Sequence, residues 1–317
     1  MSSQFLSSSH GSTLLQLWLL ALLLALPAHA TPSPLPPVSA APVDDYDRLL
    51  PLEGASNFRD AGGYFTADGR RVRRGLLFRS AVMTSLTERD REYLQAFGFQ
   101  RVVDLRSREE RELYPNHWAA ERGIEVVAHD YSMRALMQRM SREEESAPAA
   151  GAMHELYRGL PYFLEPQLRL LFDELLQGNV PLAVNCSAGQ DRTGVSVALL
   201  LLALGVPRDV VVQDYLQSTR YRRPAVERGD VDLEKAAQRN AFAALMLRYR
   251  SGGEAAAATP LLTEQGVPFL RFAIDRVEQD FGSVQAFLRQ RIGVDAEDVA
   301  RLRALYLERT FDAAAES

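Results

Sequence analysis

One cysteine and one arginine lie six positions apart in the segment Cys186-Ser-Ala-Gly-Gln-Asp-Arg-Thr-Gly194. A thiolate is a strong nucleophile, and the planar guanidinium of an arginine can hold two phosphate oxygens at once. An apolar run ends at Val184 and another spans 195–204, so the pattern predicts a strand, a turn and a buried helix. The backbone N–H groups of such a turn and the helix N-terminus bind anions and favour the thiolate. We therefore expect a phosphate-binding loop with Cys186 as its nucleophile.

This loop resembles that of the protein tyrosine phosphatase superfamily, in the bacterial branch whose loop reads Cys-x-Ala-Gly-Lys-Asp-Arg-Thr-Gly. Three upstream blocks match the same group in the same order, namely Asn57-Phe-Arg-Asp-Ala-Gly-Gly-Tyr64, Phe78-Arg-Ser80 and Val102-Val-Asp-Leu-Arg-Ser107. The matches run from about Pro51 to the end of the helix after the loop. The resemblance implies a metal-independent phosphatase that needs no cofactor.

Two residues depart from the family pattern. Asn185 stands where the family commonly has a histidine, which alters one usual influence on the thiolate. Gln190 replaces the usual lysine and removes a positive charge from the loop. Related enzymes that act on phosphoinositides tend to use lysines there, so the second departure weakens the case for a lipid substrate.

Apolar stretches with strand character cover 75–80, 100–106, 125–131 and 181–185. A helix is predicted over 84–97, capped by Ser85 or Thr87 and ended by Gly98. Apolar residues at helical spacing predict two more helices, over 262–281 and 296–309. The alternation predicts an α/β fold with a central, mainly parallel sheet flanked by helices. The phosphate loop would connect a central strand to a buried helix.

The N-terminus is typical of an export signal. An apolar run over 14–26 is followed by Pro27 and then by the cleavage pattern Ala28-His29-Ala30. We expect a signal peptide over 1–30, a proline-rich linker over 31–45 and a phosphatase-like catalytic domain over 46–317. The mature protein would be periplasmic or secreted, with no stable membrane anchor. An uncleaved anchor is the alternative, since no lysine or arginine precedes the apolar run.

Composition narrows the possible partners. The formal net charge of −5 argues against nucleic acid as the main partner. Cys186 is the only cysteine, so an internal disulfide is impossible. The five histidines are scattered without the spacing of a zinc site, and no metal is expected. The expected partners are a phosphorylated protein or a small phosphate ester.

The resemblance assigns a role to each residue of the loop. Cys186 would attack phosphorus and form a cysteinyl-phosphate intermediate that water then hydrolyses. Thr193 would hydrogen-bond the sulfur and ease its departure, with a simple helix N-cap as the alternative. The phosphate oxygens would be held by Arg192 and by the backbone N–H groups of Ser187, Ala188, Gly189, Gln190, Asp191 and Arg192.

Two aspartates compete for the role of general acid, which must give a proton to the leaving oxygen. Asp191 lies in the loop, where the resembling branch carries its acid, and we favour it. Asp130, at the predicted end of a strand, is where other branches carry theirs. Arg59 and Asp60 would brace the loop, line its rim or form an ion pair, and the sequence leaves Asp104 and Arg106 equally open.

The sequence therefore predicts a cysteine-dependent phosphomonoester hydrolase acting on phosphotyrosine, with phosphoserine and phosphothreonine as further substrates. A phosphatase for phosphoinositides or small phosphate esters is the alternative within the same chemistry. A rhodanese-like sulfurtransferase fits poorly with the Arg192-Thr193 pair and the helix that follows. A non-catalytic phosphate-binding module is the remaining alternative, although both the cysteine and the arginine are present.

Overall fold

The computed structural model describes residues 47–133, 152–250, 258 and 260–309. The strands are β1 (Arg59–Asp60), β2 (Arg70–Val72), β3 (Leu77–Ser80), β4 (Arg101–Asp104), β5 (Glu125–Ala128), β6 (Leu182–Asn185) and β7 (Leu307–Arg309). Five of them form one sheet in the order β1-β3-β6-β4-β5, in which only β1 is antiparallel to its neighbour. β2 and β7 form a separate antiparallel pair. The expected α/β fold with a central, mainly parallel sheet is confirmed.

Helices account for most of the remaining described residues. They are α1 (Glu88–Gln95), α2 (Arg108–Leu113), α3 (His117–Arg122), α4 (Ala152–Phe163), α5 (Glu165–Gln177), α6 (Arg192–Leu204), α7 (Arg208–Tyr221), α8 (Pro224–Arg228), α9 (Leu233–Ala237), α10 (Ala241–Arg250), α11 (Phe269–Phe281), α12 (Val284–Phe287) with the π-helical turn Leu288–Ile292, and α13 (Ala296–Tyr306). None of these helices is long and apolar enough to cross a membrane.

The central strand β6 is buried on both faces. Leu182 and Val184 join the larger core cluster with α5 and α6, whereas Ala183 points to a cluster that contains Phe78 and Trp118. A parallel strand that is covered on both sides reads as a continuous apolar run, because alternating residues all meet apolar neighbours. This burial explains the apolar stretch before Cys186.

Three parallel strands end at the same edge of the sheet. In their register, Asn185 of β6 lies between Ser80 of β3 and Asp104 of β4. The chain leaves this edge at Cys186 and enters α6, in which all residues from Thr193 to Leu201 are buried. The predicted strand, loop and buried helix are therefore present, with the loop at the carboxyl ends of the parallel strands.

Several predicted boundaries differ from the structure. α11 begins only at Phe269, because a helix is disfavoured before Pro268 and the segment 262–268 instead closes a small bridge. The helix predicted to reach Arg309 ends at Tyr306, and Leu307–Arg309 pairs with β2. β5 stops at Ala128, before Asp130. The expected signal peptide and linker lie outside the described residues.

Candidate active site

The loop between β6 and α6 makes a tight turn that only glycine can occupy at one position. Gly189 has a φ of 62°, in the left-handed region. A Cβ on Gly189 would lie 2.5 Å from the carbonyl carbon and oxygen of Ser80. The loop backbone thus rests directly on the chain that follows β3, while Cys186 lies buried at the start of the turn.

Side chains from the N-terminal part of the chain fix the loop carbonyls. Asn57 donates through Nδ2 to the carbonyl oxygens of Ala188 (3.2 Å) and Gly189 (2.8 Å). Arg79 donates through Nη2 to the same Gly189 oxygen at 2.9 Å. In a trans peptide the N–H points away from the carbonyl, so the N–H groups of Gly189 and Gln190 point away from these donors. That orientation leaves two loop amides for an anion.

A buried ionic network holds these donors in place. Asp214 of α7 accepts from Arg59 Nε (3.2 Å), Arg79 Nη1 (2.5 Å) and the Tyr64 hydroxyl (3.0 Å). Burial opposes ionisation of Asp214, but the charges of Arg59 and Arg79 outweigh it and lower its pKa to about 2. Arg59 also donates to Asn57 Oδ1. Of the roles considered for Arg59, the structure shows both the ion pair, with Asp214, and a brace for the loop through Asn57.

The guanidinium of Arg192 is held by a second buried carboxylate. Glu110 of α2 accepts from both terminal nitrogens of Arg192, at 2.8 and 2.6 Å, and from the Ser187 hydroxyl at 2.5 Å. Burial opposes ionisation of Glu110, but Arg192 and its hydrogen bonds lower the pKa to about 2. Arg192 also contacts the Tyr131 hydroxyl at 2.5 Å. The fork is therefore oriented before any phosphate binds.

Sequence reasoning missed Glu110, although a local signal for it exists. Ser107 caps α2 and Glu110 completes the capping box three residues later, which places the carboxylate next to the end of β4. Asp104 and Arg106, which flank the same strand end, pair with each other at 2.6 Å in the core. Arg106 also donates to the backbone of Tyr114 at 2.7 Å. The structure therefore places this pair in support of the strand end.

The two candidate acids have different surroundings. Asp130 is 79% exposed and forms an ion pair with Arg111. Asp191 accepts a hydrogen bond from the buried hydroxyl of Tyr157 and another from the Gln190 amide at 3.4 Å. Asp191 therefore lies in the loop within a defined hydrogen-bond arrangement, whereas Asp130 is held at the surface.

Thr193 occupies the second position of α6, and the N-cap is Asp191. The alternative in which Thr193 is a simple N-cap is therefore wrong. Its hydroxyl is buried and has no hydrogen-bond partner among the described residues. A buried hydroxyl normally has a hydrogen-bond partner. The Thr193 hydroxyl can therefore donate to a group that it meets only during the reaction.

A cation from another element lies beside Gln190. Arg222, at the end of α7, donates through Nη1 to Gln190 Oε1 at 2.8 Å. Its other nitrogens contact Glu227 at 3.0 and 2.7 Å, which fixes the guanidinium. A positive charge is therefore present next to the loop position where the resembling branch has lysine.

Residues 50–308 match the model of the tyrosine phosphatase family. The chain belongs to this family. It is 34% identical to a candidate tyrosine-protein phosphatase of Cupriavidus necator, over 89% of this chain and 96% of the relative. It is 28% identical to the triple specificity protein phosphatase PtpB of Mycobacterium tuberculosis, over 81% of this chain and 98% of the relative. The protein is thus a phosphatase of the tyrosine phosphatase family.

Substitution of Gly189 by alanine tests the turn of this phosphatase. We expect Gly189→Ala to cost about 2 kcal/mol or more of unfolding free energy, because a left-handed φ and a backbone clash act together. Turnover should fall about a hundredfold as the loop moves. Urea unfolding and kcat/KM for an aryl phosphate measure both effects.

Gly178→Ala is the matched control for this substitution. Gly178 also has a positive φ, of 77°, but a Cβ there meets no atom within 4 Å. This change should cost only about 1 kcal/mol and leave turnover unchanged. Equal effects of the two substitutions would contradict the close packing of Gly189 on Ser80.

Asp214→Asn tests the buried ionic network. We expect it to lower the unfolding free energy at pH 7 by about 3 kcal/mol or more, because two buried arginines lose their counter-charge. The pKa of Asp214 is lower in the folded protein than the roughly 3.9 of an unfolded chain. Its ionisation therefore stabilises the fold above about pH 4, and this contribution, on the order of 2 kcal/mol, is lost as the pH falls through 2.

Unfolding measured between pH 7 and pH 2 checks this expectation. The difference between the wild type and Asp214→Asn should shrink as the solution becomes acidic. Asp209→Asn, on the same helix, serves as the control, since Asp209 is exposed and pairs only loosely with Arg271 at 3.7 Å. A wild-type advantage that grows below pH 4 would show that Asp214 does not carry a charge in the fold.

Proposed function

We propose that this phosphatase hydrolyses phosphotyrosine, and phosphoserine or phosphothreonine as further substrates, with Cys186 as the nucleophile. The observation that carries the proposal is the preformed cradle around Cys186. Asn57 and Arg79 donate to the loop carbonyls and fix the loop backbone. Glu110 holds the Arg192 guanidinium in one orientation next to the same loop. Preorganised donors of this kind stabilise the charge that develops on a transferring phosphoryl group.

In the first step, the Cys186 thiolate attacks phosphorus and an S–P bond forms as the P–O bond to the substrate breaks. Arg192 and the loop amides bind the three non-bridging oxygens. The leaving oxygen takes a proton from the carboxyl group of Asp191, which becomes a carboxylate. The products of this step are the free hydroxyl compound and a cysteinyl phosphate.

In the second step, water attacks phosphorus and the S–P bond breaks. The Asp191 carboxylate accepts the proton that the water loses, so the acid of the first step is the base of the second. The sulfur departs as a thiolate, and the Thr193 hydroxyl donates a hydrogen bond to it. Inorganic phosphate then leaves, and the enzyme returns to its starting protonation state.

Arg222 favours a second candidate function, the hydrolysis of phosphoinositides. Gln190 removes a cation from the loop, but the Arg222 guanidinium contacts Gln190 and supplies a charge at the same place. The Mycobacterium tuberculosis relative is named for triple specificity, which fits a site open to more than one substrate class. Small phosphate esters would use the same cradle without this contact.

A substrate panel separates these candidates. If a second substrate phosphate binds Arg222, Arg222→Ala should lower kcat/KM about tenfold for phosphoinositides with several phosphates but little for a phosphotyrosine peptide. Arg220→Ala, two residues earlier, is the control. If the enzyme hydrolyses the phosphotyrosine peptide but no phosphoinositide, and neither Arg222→Ala nor Arg220→Ala changes that rate, the lipid candidate is ruled out.

We also propose that residues 1–30 are removed on export, that 31–45 form a linker and that 46–317 form the catalytic domain. The mature protein would then be periplasmic or secreted, free of a stable membrane anchor. The apolar run and the Ala28-His29-Ala30 pattern support this proposal. N-terminal sequencing of protein from its native host should find Thr31 first, whereas an intact Met1 in a membrane fraction would contradict it.

Cys186→Ser tests the nucleophile. We expect turnover to fall by about a thousandfold or more while phosphate-ester binding persists, because the amides and Arg192 remain in place. Arg192→Ala should weaken both binding and turnover, since its fork contacts the phosphate throughout. Aryl phosphate hydrolysis with a chelator present, together with calorimetric binding of phosphate, gives both quantities.

The wild type should retain full activity in the chelator. Substantial turnover by Cys186→Ser would remove the cysteine mechanism. The absence of aryl phosphate hydrolysis by the wild type would instead favour a sulfurtransferase or a non-catalytic binding module.

Asp191→Asn tests the general acid. We expect kcat for phosphotyrosine to fall about a hundredfold, because its phenolate leaves poorly without a proton. An aryl phosphate with an acidic phenol should be affected much less, since that phenolate leaves unaided. Asp130→Asn is the matched control and should change neither rate. The reverse pattern would move the acid to Asp130.

A further inference from the structure

Two buried tyrosines next to the loop have no role in the mechanism so far. Tyr157 lies in α4 and Tyr215 in α7, and neither side chain is exposed to solvent. The Tyr215 hydroxyl donates to the Tyr157 hydroxyl at 2.6 Å, and the Tyr157 hydroxyl donates to Asp191 Oδ1. A chain of two hydroxyls therefore ends on a carboxylate of the phosphate loop.

The carboxylate of Asp191 is not used as a helix cap. An aspartate at an N-cap usually accepts from the backbone N–H groups of the first helical turn. Asp191 is the N-cap of α6, yet its side chain makes no such bond. Both hydrogen bonds that the described residues give to this carboxylate, from Tyr157 and Gln190, fall on Oδ1. Oδ2 is thereby left for another partner.

Packing fixes the two phenol rings as well as their hydroxyls. A Cβ on Gly194 would lie 2.8 Å from Cδ2 of Tyr215, so the Tyr215 ring fills the space that this glycine leaves. The Tyr157 ring meets the Tyr215 ring edge-on at 6.1 Å and stacks on Phe269 at 5.5 Å. The tyrosine chain thus has one packed arrangement.

Both hydroxyls remain protonated at neutral pH. Burial raises the pKa of Tyr157 and of Tyr215, and the nearby charge of Asp191 raises both further. Each can therefore donate a hydrogen bond throughout the catalytic cycle. Tyr157 in particular can donate to Asp191 both before and after the carboxyl group gives up its proton.

We propose that Tyr157 is a positioning residue for the general acid, and that Tyr215 holds the Tyr157 hydroxyl in place. By donating to Oδ1, Tyr157 fixes the rotation of the carboxyl group and leaves the proton on Oδ2 for the leaving oxygen. When that proton has moved, the same bond stabilises the carboxylate. The inference rests on the proposed function, in which Asp191 is the acid.

Tyr157→Phe removes the hydroxyl and keeps the ring packing. We expect kcat for phosphotyrosine to fall about tenfold, a part of the hundredfold to ten-thousandfold that general acids contribute. For an aryl phosphate with an acidic phenol, kcat should stay within about twofold, because that substrate needs no acid. Tyr215→Phe should show the same selectivity with a smaller loss.

Tyr162→Phe is the matched control. Tyr162 lies in the same helix, but its hydroxyl contacts Asp280 at 2.5 Å instead of the loop. This variant should hydrolyse both substrates at the wild-type rate. Thermal unfolding of all three variants shows whether each remains folded, and Tyr215→Phe carries the test if Tyr157→Phe does not fold.

The double variant Tyr157→Phe with Asp191→Asn separates this inference from the proposed function. If Tyr157 acts through Asp191, the second change should add no further selective loss for phosphotyrosine. Equal slowing of both substrates by Tyr157→Phe, or no slowing at all, would overturn the positioning role while Asp191→Asn keeps its own effect. If Asp191→Asn is not selective for the leaving group, the acid assignment itself fails.

Discussion

The carboxylate of Asp214 balances two arginines that the fold buries completely. Arg59 and Arg79 lie directly opposite each other on β1 and β3, a cross-strand pair of like charges that would destabilise the sheet by itself. Removing each ion from water costs several kcal/mol unless a partner compensates it. Asp214 supplies that compensation from α7, and the arginines in turn hold Asn57 and the Gly189 carbonyl. The shape of the phosphate loop therefore depends on a charge balance formed away from the loop.

A second buried ion pair serves the loop in a different way. Glu110 holds the Arg192 side chain, whereas the Asp214 network holds the backbone. The two interactions differ in geometry, since one sets the direction of a guanidinium group and the other sets the orientation of a peptide plane. Each carboxylate is ionised because adjacent arginines outweigh the effect of burial on its pKa. The cradle is thus preorganised by charges that water does not screen.

The two departures from the family loop have different consequences in the fold. Gln190 lacks the positive charge of lysine, but Arg222 contacts it from the end of α7. The positive charge beside the loop therefore comes from Arg222, whose guanidinium is held by Glu227. Asn185 is buried at the end of β6, and its Oδ1 has no hydrogen-bond partner among the described residues. Among the described residues, the Asn185 oxygen therefore makes no hydrogen bond at the position where the family commonly has a histidine.

The parts of the site that are contiguous along the chain could be predicted from the sequence alone. Cys186 and Asp191 lie in the loop, and Arg192 and Thr193 follow directly in the first turn of α6. The apolar runs beside these residues specify a buried strand and helix because burial follows the local hydrophobic pattern. The sheet followed from the alternation of such runs, although β1, β2 and β7 are too short to give a signal. Glu110 could also have been found from the sequence, because it forms a capping box with Ser107.

Which distant side chains complete the loop depends on how the helices pack in three dimensions. Asp214 and Arg222 come from α7 and its end, and Tyr157 comes from α4, all far along the chain from the loop, and nothing in their neighbouring sequence marks them. Their roles depend on how α4 and α7 pack against α6, which no local periodicity encodes. Long-range packing brings opposite charges and hydroxyl groups together in a medium of low dielectric, where each contact is strong. For this reason the chemistry of the loop could be predicted from the sequence, together with Arg59 as a candidate brace, whereas the partners that come from α4 and α7 could not.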